Sequence, residues 1–210
     1  MLKSLVISLT LTLLSFIPGL TYAQEVDLLK KITMSMASTC TELTYSYSVS
    51  LSGTENLGYG TLTLQGQKWN LVGNGLEMYC DSTSLWVIDP QAKEVVIESV
   101  DHSSDFNAFT SPAVIFARLH EFFQVKSVVP SRDGQALVYV LSSKTANDVE
   151  YINLEILKKD ETIASCTVAL TEGSLIKIKV SSMKLTPLRD LSYFRPKTAF
   201  NSSWIVSDVR

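Results

Sequence analysis

The chain is 210 residues long, carries a formal net charge of −3 and is 46% hydrophobic. That length allows one domain with a full core. The weakly acidic balance supplies no strongly basic face, which argues against nucleic acid as a partner.

Met1-Leu2-Lys3 gives a charged start and residues 5–17 form a mostly apolar run. Pro18-Gly19 breaks that run, and Thr21-Tyr22-Ala23 places small residues at −3 and −1 before Gln24. This is the layout of a secretory signal peptide over 1–23, cut after Ala23. The run is short and interrupted for a membrane span, so an uncleaved anchor is the weaker reading. No cysteine stands at the cut, which argues against a lipid anchor there. The expectation is a single soluble, exported domain over 24–210.

Residues 25–37 read as a helix, with Val26, Leu29, Ile32 and Met36 at three- and four-residue steps. Strands follow. Residues 43–51 alternate large with small polar side chains, and Gly58-Tyr59-Gly60 reads as a turn. Short strands over 61–64, 68–72, 76–80, 85–88 and 94–97 are separated by Gln65-Gly66-Gln67, Gly73-Asn74-Gly75, Asp81-Ser82-Thr83-Ser84 and Asp89-Pro90. The close spacing and turn chemistry predict an antiparallel meander. The pattern breaks over 101–123, where Ser111-Pro112 is a helix start. Val114, Ile115, Leu119, Phe122 and Phe123 make the apolar face of that helix. Strands resume over 136–141, 151–157, 162–170 and 175–180. No linker or repeat divides the chain.

Cys40, Cys80 and Cys166 are far apart, with no C-x-x-C. One disulfide is compatible with export, but small buried apolar residues are the preferred reading.

Two-faced strands interrupted by helices predict an α+β fold, a curved antiparallel β-sheet forming an incomplete barrel with α-helices as a lid. Each apolar strand face needs cover. Short helices covering it loosely would leave an apolar hollow suited to apolar ligands. A tightly packed core satisfies the same periodicity.

The stretch Gly60-Thr61-Leu62-Thr63-Leu64, the hairpin from Glu77 through Asp81 and Leu85-Trp86-Val87-Ile88-Asp89-Pro90, and the strand Glu94-Val95-Val96-Ile97 carry a resemblance. Their order and spacing resemble the LolA family, the outer-membrane lipoprotein carriers of Gram-negative bacteria, in a divergent Bacteroidetes-type form. The segment 107–118 resembles that family's short lid helices, and Leu188-Arg189-Asp190-Leu191-Ser192-Tyr193-Phe194 with Asp208-Val209-Arg210 resembles its close. The resemblance implies a monomeric periplasmic chaperone that holds the acyl chains of lipidated proteins. It would take them from an inner-membrane Lol-type ABC transporter to an outer-membrane acceptor. Two departures stand out. The turn Gln65-Gly66-Gln67-Lys68 lacks the arginine with which such carriers latch the lid, and Ser82 replaces the glycine of an Asp-Gly turn. Neither lysine nor glutamine gives a guanidinium's bidentate fork. A binding or sensing module for another amphiphile, such as a glycolipid or lipopeptide, is the alternative.

The physics fits a carrier. Each methylene moved out of water contributes about 0.8 kcal/mol. An anchor with on the order of tens of methylenes would therefore cost roughly 20 kcal/mol to move unaided through water. Release demands an adaptable aliphatic and aromatic lining. Candidate lining residues on the strands are Leu62, Leu64, Trp69, Met78, Trp86, Ile88, Leu154, Ile156, Ile178 and Val180; Val114, Ile115, Leu119 and Phe122 come from the lid. Strand parity taken from sequence swaps inside for outside if it slips by one residue.

No catalytic or metal constellation emerges, so neither an enzyme nor a cofactor is expected. His102 and His120 lack ligand partners at helical or hairpin spacing. Asp101-His102-Ser103 has no nucleophile elbow, and Asp105, Asp148 and Glu150 read as solvated loop carboxylates.

Overall fold

The computed structural model describes residues 21–51, 54–100, 115–116, 119, 121–144 and 148–210. One sheet of twelve strands organises them. After helix α1 (Thr21–Ser38) come β1 (Cys40–Leu51), β2 (Thr54–Gln65), β3 (Lys68–Gly73), β4 (Leu76–Cys80), β5 (Ser84–Asp89) and β6 (Glu94–Ser99). The second run is β7 (Phe123–Pro130), β8 (Ala136–Ser143), β9 (Val149–Leu157), β10 (Thr162–Leu170) and β11 (Leu175–Thr186), followed by a 3-10 turn at Leu191–Phe194 and β12 (Ile205–Asp208).

The two meanders meet where β1 pairs with β11, giving the order β12-β6-β5-β4-β3-β2-β1-β11-β10-β9-β8-β7. Among the described residues β7 and β12 are the two edges, so the curved sheet does not close into a barrel. The pairing is antiparallel throughout except for β12, which runs parallel to β6. Ile32 and Met36 of α1 are buried in the main core, and α1 contacts β1, β2 and β7. Ile115, Phe116, Leu119, Glu121 and Phe122 are helical. Ser111-Pro112, Val114, His102, His120 and Asp105, like the expected signal segment 1–20, lie outside the described residues. A cut after Ala23 would trim the first three residues of α1.

Gly58-Tyr59-Gly60 is no turn; it lies within β2. The glycines are there for close approach. A Cβ on Gly58 would overlap the Tyr47 ring, and one on Gly60 would sit 2.9 Å from the Val72 carbonyl oxygen and 3.0 Å from the Tyr45 hydroxyl. A Cβ on Gly73 would overlap the Tyr59 carbonyl oxygen. Two tyrosines thus lie over bare backbone of β2. A real turn follows at Asn74-Gly75, with φ of 50° and 80°, the left-handed pair a tight hairpin needs.

The final segment, from Pro187 to Arg210, forms a strap over the outer side of β2–β6. Gln65 pairs with the Arg189 backbone through both halves of its amide: Nε2 donates to the Arg189 carbonyl at 3.1 Å, and Arg189 N–H donates to Oε1 at 2.7 Å. Asn70 donates to the Tyr193 carbonyl at 3.3 Å, and Arg195 reaches Asp81 at 2.7 Å. Phe200 and Trp204 then pack on Ile88, Val95 and Ile97.

Candidate functional site

Cross-strand partners share a face of a sheet, so the register fixes what looks inward. Leu43 pairs with Leu62, Leu62 with Leu71, and Leu71 with Met78. In the other half Tyr47 pairs with Ile178, Ile178 with Cys166, Cys166 with Leu154, and Leu154 with Tyr139. These rows make one continuous apolar concave face, roofed by α1 and by the helical residues around Ile115 and Leu119.

The structure brings together Leu62, Leu64, Trp69, Leu154, Ile156 and Ile178 on that face, with Ile115 and Leu119 above, none more than 7% exposed. Met78, Val180 and Phe122 are half-buried against the same cluster. Trp86 and Ile88 are a correction. They pair with Ile97 and Val95 and belong to a second cluster on the outer face. Leu85-Trp86-Val87-Ile88 is apolar at every position because both sides of β5 are covered, so alternation there gives no direction. Leu85 packs against the inner cluster instead.

In this conformation Leu62, Leu64, Trp69, Leu154, Ile156 and Ile178 are packed, with no water-sized space beside them, while Tyr47, Met78 and Val180 on the same face keep part of their surface open. A cleft of about 210 Å³ runs along the edge of the roof, between α1 and β10–β11, lined by Ile32, Ser35, Thr162, Met183 and Leu185. The Lys31–Glu161 ion pair bridges its rim, with both side chains well exposed.

Two ionisable groups on this face are held neutral. Burial, with Tyr47 adding to it, raises the Tyr45 phenol above its ordinary range. Burial pushes the Cys166 thiol up to about 12, leaving it inert as a nucleophile. Cys40, Cys80 and Cys166 are all free and buried, as the apolar reading expects. What the arrangement offers is hydrocarbon surface. Among the described residues there is no group of three or more His, Cys, Asp or Glu that could hold a metal, and Asp148 and Glu150 are exposed.

The polar site that sequence reasoning passed over is Asp81. Its carboxylate is 2% exposed. Oδ1 accepts from Thr83 N–H, Ser84 N–H and the Thr83 hydroxyl, and Oδ2 accepts from Arg195. Burial pushes its pKa up, but these donors outweigh that and hold it at about 2. The hairpin motif signalled the aspartate; nothing local signalled Arg195, which is 114 positions away.

By sequence the chain matches no family model and no curated protein. By structure it is similar to an uncharacterized conserved protein from Thermus thermophilus, at a TM-score of 0.54 and 12% identity over 88% of this chain and 99% of that one. It is similar to a LolA superfamily protein from Nitrosomonas europaea, at a TM-score of 0.45 and 12% identity over 83% of this chain and 98% of that one. A putative outer membrane lipoprotein-sorting protein domain from Vibrio parahaemolyticus has a TM-score of 0.45 and 9% identity over 82% and 97%. At these identities the likeness is one of fold: an open curved sheet with a helical roof.

Proposed function

We propose that this chain is a periplasmic carrier that shelters the acyl chains of lipidated proteins against its concave face. It would receive them from an inner-membrane Lol-type ABC transporter and deliver them to an outer-membrane acceptor. The observation that carries the reading is the uninterrupted apolar concave face beneath a roof tied down mainly by apolar contact.

The magnitudes allow a closed resting state. Lifting α1 exposes Ile32 and Met36 fully and Leu28 and Leu29 in part, a cost on the order of 5 kcal/mol at about 1.5–3 kcal/mol for each fully buried side chain. Burying several acyl chains returns roughly 20 kcal/mol by the same arithmetic. Cargo can therefore displace the roof, and the cleft beside Lys31–Glu161 is where it would part. Trp86 and Ile88 have no part in this lining; Leu85 and Leu71 take their place.

The test is uptake of one lipoprotein in acylated and non-acylated forms by the purified mature chain. Only the acylated form should co-purify. Equal capture of both, or of neither, would sink the carrier reading.

A second reading rests on Gln65. It stands in the turn without the arginine, and its amide is engaged by the strap on the outer side. The roof is therefore not latched from there, which leaves room for a different amphiphile on the same face. Native mass spectrometry of the chain from its own host would identify a lipopeptide or glycolipid instead of a lipoprotein.

A further inference from the structure

The strap leaves part of the outer face bare, and two cross-strand rows there have an unusual make-up. In one, Leu57 of β2 pairs with Ser48, Ser48 with Lys177, and Lys177 with Thr167. In the next, Tyr59 pairs with Ser46, Ser46 with Lys179, Lys179 with Ser165, and Ser165 with Glu155. Leu57 and Tyr59 are 75% and 71% exposed, above every other large apolar side chain among the described residues. Neighbouring strands lie about 4.8 Å apart, so each exposed apolar group sits about 10 Å from a lysine, with a serine between. The rows frame a shallow groove of about 680 Å³.

Charge in this groove departs from that of the whole. The chain is net negative, yet Lys177 and Lys179 lie side by side on one face and have no ion-pair partner among the described residues. The one carboxylate of the groove, Glu155, accepts a hydrogen bond from Ser165 at 2.8 Å.

We propose that this corner docks on the headgroup surface of an anionic lipid bilayer. The four groups match the depth profile of such a surface. Lysines pair with phosphates, a tyrosine takes the headgroup level with its hydroxyl wet, and a protruding leucine reaches the edge of the acyl region. Serine and threonine hydroxyls between them supply hydrogen bonds to phosphate oxygens. A protein partner would need a pocket or contiguous apolar core for an anchor residue; here the apolar groups stand singly above a polar floor. The proposal is separate from the carrier reading, because it concerns the outer face and needs no cargo.

The experiment is co-sedimentation of the mature chain with phosphatidylcholine vesicles, with and without phosphatidylglycerol. The chain should sediment with the anionic vesicles only and be stripped by salt at about 0.5 M. Lys177→Glu with Lys179→Glu should weaken binding by about tenfold or more. Leu57→Ser with Tyr59→Ser should weaken it several-fold. Lys158→Glu with Lys159→Glu, an equal charge change in the β9–β10 turn, should do little. Melting temperatures verify that each variant folds. No binding to anionic vesicles, equal binding to both kinds, or equal loss in the two lysine pairs would overturn the proposal. So would failure on vesicles with capture of polyglutamate that Lys177→Glu and Lys179→Glu abolish, which would make the surface a dock for an acidic protein.

Discussion

The two faces of the sheet solve the same problem differently. The concave face is apolar from β4 through β1 and β11 to β8, and it is roofed by helical residues through apolar contact. The outer face has a covered apolar cluster on β4–β6, where Tyr79, Trp86, Ile88, Val95 and Ile97 lie beneath Phe200 and Trp204 of the strap. That cover is fixed by polar bonds at named points, Gln65, Asn70 and Asp81. A roof held by nondirectional apolar contact can be lifted and reseated; a strap pinned by a buried carboxylate cannot slide. The difference is why the carrier proposal places exchange on the inner face and rigidity on the outer one.

The comparison breaks most sharply in the core. Leu154→Ala on the concave face removes a side chain that is 2% exposed and should destabilise by about 3 kcal/mol, read as a lower denaturation midpoint. If the interior instead collapses easily around the loss, the expected value falls toward the low end of about 2 kcal/mol. On the outer face the sharpest cut is Asp81→Asn. It removes the anion that gathers Arg195 and the turn, while Arg195, about half exposed, returns to water. The expected loss is about 2 kcal/mol.

Asp81 also carries a pH signature. Its folded pKa, about 2, is below the ordinary carboxylate value. The stabilisation is therefore whole above about pH 4 and drains as pH falls toward 2. Wild type should lose stability through that window, and Asp81→Asn should lack that part of the slope. Parallel curves for the two proteins would show that the strap is not held by this charge.

Legibility in the sequence followed the same division. β9 and β11 could be read because one of their faces is polar: Ile152, Leu154 and Ile156 alternate with Asn153 and Glu155, and Ile176 and Ile178 alternate with Lys177 and Lys179. All five apolar residues are buried in the main core. The architecture followed from that alternation, and so did the buried face of these two strands. Parity failed on β5, where a second cover makes both faces apolar. β12 was invisible because Ile205-Val206-Ser207-Asp208 is too short to show a period and pairs with β6 only through the tertiary path of the strap. β7 was missed because Phe123 closes an apolar helical face and opens a strand at once. Gly58 and Gly60 misled because a glycine beneath a tyrosine ring looks, in sequence, like a glycine in a turn.

That last ambiguity sharpens into a pair of substitutions. A Cβ on Gly73 would meet backbone, the Tyr59 carbonyl oxygen and the Gly60 Cα. Neither can yield without bending β2, so Gly73→Ala should destabilise by about 2 kcal/mol. A Cβ on Gly58 would meet the Tyr47 ring and the Asn74 side chain, which can rotate away. Gly58→Ala should therefore lose less, and a thermal melt of the two variants side by side tests whether the close approach is limited by backbone or by the tyrosine ring.

The smallest effect has the opposite sign. Ser82 takes the place of glycine after Asp81 and has a φ of 81°, a left-handed conformation that penalises any Cβ by about 1–2 kcal/mol. Ser82→Gly relieves that strain but loosens the unfolded chain, which offsets about 0.5–1 kcal/mol. The net gain should be about 0.5 kcal/mol, seen as a small rise in melting temperature with the Asp81-dependent acid slope unchanged. A loss instead would mean that the serine side chain holds the turn more firmly than its backbone strains it, and that the outer face is pinned at one more point than Gln65, Asn70 and Asp81.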